Sequence, residues 1–160
     1  MRGALAAAAL LMARPAFAGD PVGLDPAIHD RCLANAKSEG AVVDCAGQGV
    51  TACLAFWKER DPSRDPFIVR DVCTDAEHQL WEASLTTAYD ALIASTKVSR
   101  PEAVADIREM ERAWLAFRDA RCKAEVGLFG HGTGGAIAEP ECLMHETARQ
   151  TALLRELGKG

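Results

Sequence analysis

The fold class this 160-residue sequence predicts is all-α: a small disulfide-linked helical bundle with two long antiparallel helices at its centre. Three observations lead there. Apolar residues recur at helical spacing along most of the chain, and runs of alternating Val, Ile, Thr and aromatics between turn residues are nearly absent. Acid-proline pairs that suit a helix start stand at Asp25-Pro26, Asp65-Pro66 and Glu139-Pro140. Six cysteines, an even number, are distributed among the helical stretches.

The first residues, "MRGALAAAALLMARPAFAGD", combine a basic Arg2, an apolar run from Ala4 to Met12 and small residues at Ala16 and Ala18. This is the pattern of a secretory signal peptide, residues 1–18, with cleavage expected after Ala18. The run is shorter than the roughly 20 apolar residues of a spanning helix, and no later stretch is expected to reach that length. No cysteine stands at the cleavage site to accept a lipid. The expected location is periplasmic or secreted, with about 142 residues left to form one domain. Loss of Arg2 and Arg14 with the signal takes the formal charge from −5 to −7. Such a surface disfavours nucleic acid and anionic lipid and attracts a cationic protein.

The first helix starts at the Asp25-Pro26 signal, places Ile28, Cys32 and Leu33 on one face, and is expected to end near Gly40. A second segment is expected from about Val43 to Glu59, with Ala46, Val50, Cys53, Leu54 and Trp57 at helical spacing. The stretch "RDPSRDPF" holds two prolines and reads as a connection. From Asp65-Pro66 a long helix runs to about Thr96, with Trp81, Leu85, Ala88 and Leu92 as its buried stripe. Pro101 opens another, to about Phe129, whose stripe is Ala103, Ile107, Met110, Trp114 and Phe117. These two are the expected antiparallel centre. The segment "GHGTGG", with four glycines in six residues, reads as a loop. Glu139-Pro140 starts the last helix, whose Leu143, Thr147, Gln150, Leu154 and Leu157 share a face.

In an exported chain an even cysteine count reads as disulfides. Cys45 and Cys53 are eight residues apart on one expected helix, about 12 Å by rise, which is too far for a bond. Each faces a cysteine across a flanking connection, which suggests Cys32–Cys45, Cys53–Cys73 and Cys122–Cys142. The chain-entropy model assigns about 3 kcal/mol to each such loop.

Motifs for chemistry are few. No CxxC or CxxCH is present. "HETAR" begins like a zinc-binding helix but has Arg149 where the second histidine belongs. His29 and His78 have no histidine at metal spacing, and "GHGTGG" has no G-x-S-x-G nucleophile turn to serve. No paired carboxylates stand out as acid and base. The expectation is a non-enzyme with no metal and no cofactor. In "ERAWLAFRDARC", residues 111–122, Trp114 and Phe117 continue the apolar stripe and read as core. Arg118 can lay its stem on that core and reach Glu77 or Glu82 on the neighbouring long helix. Asp119 and Lys123 form an i, i+4 pair at the surface.

These residues carry a resemblance. "MERAWLAFRDARC", "CLMHETARQTALLREL" and "CTDAEHQLWEASLTTAYDAL", together spanning Cys73 to Leu157, are similar to the helical domain of the lysozyme inhibitor LprI family, formerly a domain of unknown function. The family motif falls on Trp81, Leu85, Tyr89, Trp114, Phe117, Arg118, Asp119 and Cys122. Thr86 stands where the family usually has Asn, and Glu111-Arg112 where a Gln is common. The resemblance divides the mature chain into an N-terminal helical extension with extra cysteines, residues 19–64, and a family-like domain, residues 65–160. It implies protein binding, with inhibition of a cationic lysozyme-type muramidase as the named activity. The loop bearing His131 is the expected protrusion that would enter the partner's cleft. The alternative is a structural or stress-related module of the cell envelope.

Overall fold

The computed structural model describes residues 22–130 and 132–159, which form helices α1 (Pro26–Asn35), α2 (Glu39–Val43), α3 (Gln48–Arg60), α4 (Pro66–Ser99), α5 (Val104–Phe129) and α6 (Thr133–Leu157). A 3-10 turn at Pro101–Ala103 separates α4 from α5. No strand occurs among the described residues. The signal segment, residues 1–18, lies outside them.

Two of the expected starts hold because the aspartates cap their own helices. The Asp25 carboxylate accepts from the Ala27 N–H at 3.0 Å and the Asp65 carboxylate from the Phe67 N–H at 2.8 Å, each with proline next in the chain. The first helix stops at Asn35 rather than near Gly40. Ser38 supplies a new cap, its hydroxyl accepting from Ala41 N–H at 3.2 Å, and starts the short α2. The second expected segment begins later, at Gln48, because Gly47 takes the left-handed conformation (φ 88°) and breaks the chain there. Cys45 therefore sits in a turn before α3, and the argument that kept it from Cys53 along one helix does not apply. The disulfides are nonetheless Cys32–Cys45, Cys53–Cys73 and Cys122–Cys142, with Cα separations of 5.7, 5.9 and 5.4 Å. Counted as one run, Glu39–Arg60 is long and apolar enough to span a membrane, against expectation. The Gly47 turn interrupts it, and two disulfides tie it to α1 and α4.

Helices α4 and α5 run antiparallel, but the main partner of α4 is α6. Arg70 bonds Glu141 and Glu82 meets Thr147, so α4 and α6 run parallel. Cys122–Cys142 and the Gln150–Glu111 hydrogen bond set α5 antiparallel to α6. Helix α6 thus lies between α4, α5 and α2. Its buried surface is correspondingly wider than one stripe: Thr147, Gln150 and Leu154 are covered, and so are Met144, Ala148, Thr151 and Ala152, while Leu157 is exposed. The expected start of α6 at Pro140 is also corrected, since the helix begins at Thr133 and carries Pro140 inside it. Proline removes the hydrogen bond to the Ala136 carbonyl. Burial of Ala138 and Cys142 holds the turns on either side of it. Gly135 lets the helix start lean on the preceding turn: a Cβ there would lie 2.1 Å from the Gly130 carbonyl oxygen.

The core has two parts. One joins Leu24, Val42, Val50 and three half-cystines to Val69, Trp81, Met144 and Ala148, so residues 24–53 share a core with α4 and α6. The other is Leu85, Ala88, Leu92 and Leu154, against which Tyr89, Ile107, Met110 and Trp114 pack.

One buried side chain links these elements. Helix α3 has glycine at its N-cap and so no cap of its own. Glu77, 1% exposed on α4, takes that place: it accepts from Gly47 N–H at 2.7 Å, from Val50 N–H at 2.6 Å and from the Trp81 indole at 3.2 Å. Glu77→Ala would leave three donors, those of Val50 and Trp81 buried and that of Gly47 half-buried, without an acceptor. It should lower the unfolding free energy by about 3–5 kcal/mol, read from urea denaturation, with a smaller loss for Glu77→Gln.

Candidate functional site

Of the motif residues, Arg118 and Asp119, with Trp114 beside them, stand in a polar seam where α4, α5 and α6 come together. Arg118 is its hub, with a side chain 13% exposed. Its Nη1 donates to Glu82 Oε1 at 2.7 Å and to Thr147 Oγ1 at 3.4 Å, and its Nε to Asp119 Oδ1 at 3.1 Å. The guanidinium carbon lies 5.1 Å from the Trp114 ring centroid. Of the two expected carboxylates, Glu82 is therefore the partner, and Glu77 is engaged in capping α3. Asp119 pairs with Arg118 rather than with Lys123.

Glu82 also accepts from Thr147 Oγ1 at 3.0 Å and lies 3.0 Å from His78 Nε2. The His78 hydrogen bond, with help from Thr147 and the Arg118 charge, holds the Glu82 carboxyl below its ordinary value despite partial burial. One turn along the seam Glu111 accepts from Gln150 Nε2 at 2.8 Å, and here burial wins and pushes the carboxyl up. Toward the other end Arg121 and Arg149 both bond Glu146, which is buried.

Two expectations on α5 need separating. Trp114 is half-buried against the second part of the core. Phe117, expected in the core, is 57% exposed. The reason is that Arg118, one turn past Trp114, occupies the inward position, and a residue one step earlier on the helix is turned toward solvent. Trp81 and Leu85 are buried, and Tyr89 is half-buried. His131 lies outside the described residues.

Sequence reasoning missed three contacts. Glu77 as a cap could have been sought from the glycines at 47 and 49: a Cβ at Gly49 would stand 2.9 Å from Glu77 Oε2. His29, buried on α1, puts Nε2 2.8 Å from Ser84 Oγ and its ring edge-on to Trp81 at 4.6 Å between centroids. Burial lowers its pKa, against the opposing charges of Glu77 and Asp30. The Glu111–Gln150 bond carries no local sequence signal. Among the described residues no group of three His, Cys, Asp or Glu is placed to hold a metal ion. The chemistry of the seam is fastening: Arg118 reaches Glu82 and Thr147, Arg121 reaches Glu146 and Glu111 reaches Gln150, each on another helix, while Asp119 and Arg149 pair within their own.

Fold and seam together define a small all-α, disulfide-stapled domain in which Arg118 links α5 to α4 and α6. The sequence profile of the family described as lysozyme inhibitor LprI matches residues 69–154, more than half of the chain, and the chain belongs to that family. An uncharacterized protein of Rhizobium meliloti (strain 1021) is 27% identical over 101 residues, covering 54% of this chain and 70% of that one. No solved structure matches.

Two predictions follow from the seam. Arg118→Ala should cost about 2–3 kcal/mol at neutral pH, and Arg118→Lys should restore only part of it, because an ammonium cannot reach Glu82, Thr147 and Asp119 together. Since the folded Glu82 value is depressed, its contribution is complete above the ordinary value of 4.5 and is lost as the pH falls through the folded value. The stability gap between wild type and Glu82→Gln should close accordingly in acid. Separately, Trp114→Ala should destabilise by about 2–3 kcal/mol, while Phe117→Ser should stay within about 0.5 kcal/mol in the same denaturation experiment.

Proposed function

We propose that this is an exported protein-binding domain that inhibits a lysozyme-type muramidase. The family match over residues 69–154 carries the reading. Export is supported by the first 18 residues, which have the composition of a signal peptide, and by the disulfides, which use all six cysteines. Binding rather than catalysis is supported by the family's description as an inhibitor and by the way the seam spends its charged groups on one another. The acidic balance, 23 carboxylates against 18 bases, favours a cationic partner. Opposite net charges raise the association rate, and contact over the enzyme's cleft then blocks access of the cell-wall polymer.

Purified mature protein should slow the lysis of cell-wall suspensions by a cationic lysozyme. Raising salt to about 0.5 M, where the Debye length is about 4 Å, should weaken the effect. An unrelated acidic protein of similar size should not inhibit. Absence of inhibition at micromolar excess across a panel of lysozyme types would defeat the reading.

A further inference from the structure

One end of the bundle exposes apolar side chains that the core does not use. Helix α4 starts there, α5 ends there and α6 starts there, as the Arg70–Glu141 pair and the Cys122–Cys142 bond require. Phe67 and Ile68, on the first turn of α4, are each 54% exposed, and Leu128 and Phe129, on the last turn of α5, are 88% and 65% exposed. Single exposed apolar residues are ordinary on a protein surface. Two adjacent pairs at one end of a bundle this small are a different matter, because water gains by their being covered.

The surrounding charge says what could cover them. Asp71 and Asp75 follow on α4 at intervals of one turn, and Glu139 stands near the start of α6. All three are exposed carboxylates with no hydrogen bond or ion pair. On these helices at this end Arg70 and Arg121 are tied up by Glu141 and Glu146, which leaves Lys123 as their unpaired base, and at the end of α3 and in the connection before Phe67 the bases Lys58, Arg60 and Arg64 are matched in number by Glu59, Asp61 and Asp65. The far end offers no such combination: Val98, 88% exposed, is flanked by Lys97 and Arg100. An apolar centre with an acidic surround is complementary to a basic protein surface that presents apolar groups between its charges.

We propose that this end of the bundle, centred on Phe67, Ile68, Leu128 and Phe129 and rimmed by Asp71, Asp75 and Glu139, is the surface that docks on a cationic muramidase. The assignment rests on the inhibitor reading above. The apolar residues supply the dehydrated contact, and the carboxylates steer the approach.

The test uses the intact, disulfide-bonded mature protein and measures association and dissociation rates with a cationic lysozyme. Leu128→Ser combined with Phe129→Ser should weaken binding at least about tenfold, mainly through faster dissociation, with an unchanged melting temperature. Asp71→Asn combined with Asp75→Asn should slow association at low salt and flatten its salt dependence. Val98→Ser at the opposite end should change neither rate. If the wild type binds and both patch variants bind equally well, the docking surface is elsewhere and the inhibitor reading survives. If the wild type binds no lysozyme of the panel, both fall together. If the wild type is a dimer that the Leu128/Phe129 variant dissociates without loss of lysozyme binding, the patch belongs to a second copy of this chain and the proposal is overturned.

Discussion

A single carboxylate, that of Glu77, holds the N-terminal helices onto the rest of the molecule. Helix α3 begins at a glycine with no side chain to cap it, so its first N–H groups would be buried without acceptors unless another element supplied them. Glu77 supplies them from α4, one turn beyond the Cys53–Cys73 bond. It also accepts from Trp81, against whose ring His29 of α1 stands edge-on. Hydrogen bonds to an ionised acceptor are about twice as strong as neutral ones. Removal of the carboxylate would loosen α1 and α3 together. The two glycines that weaken α3 as a helix are thus the residues that let the carboxylate come close: Gly47 through its left-handed turn, Gly49 through its missing side chain.

The position of α6 decides the character of the other half. A helix covered on several sides cannot follow the usual division into one apolar and one polar face. Between α4 and α5, α6 buries alanines and threonines, which are small enough for close approach, and the threonine hydroxyls find acceptors: Thr151 on the Thr147 carbonyl at 2.8 Å, Thr147 on Glu82. Helix α5, covered along one side only, keeps a half-buried stripe of Ile107, Met110 and Trp114 that Arg118 and the buried Cys122 continue. Arg118 then fixes the rotation of α5, because its donors reach one acceptor on α4 and one on α6.

Much of the architecture was legible in the sequence. Helix starts were read best where the cap is local, as at Asp25 and Asp65, and the buried stripe of α4 was read from its spacing because Trp81, Leu85, Ala88 and Leu92 recur about once per turn on its buried side. At the starts of α3 and α6 the deciding contact is remote in sequence. The start of α3 depends on Glu77, 30 residues beyond Gly47. The start of α6 depends on packing that outweighs four glycines and a proline. Phe117 could not be told from Trp114 by periodicity, since both lie within a turn of the stripe and the arginine beside them decides which one faces in. The Arg118 partnership was legible as chemistry, an inward guanidinium seeking a carboxylate on the neighbouring helix, but the choice between Glu77 and Glu82 depended on which of them was already engaged.

The three disulfides divide the molecule in a way the helices do not. Each bond joins a cysteine to the next one along the chain, and none crosses the turn at Pro101–Ala103. The covalent map is therefore three closed loops, 32–45, 53–73 and 122–142, connected by single stretches of backbone and otherwise by contact alone. A chain threaded into an oxidising compartment from its N-terminus presents each thiol to its correct partner before the next pair emerges. Native pairing is then the pairing that order of arrival favours, with little call on disulfide reshuffling.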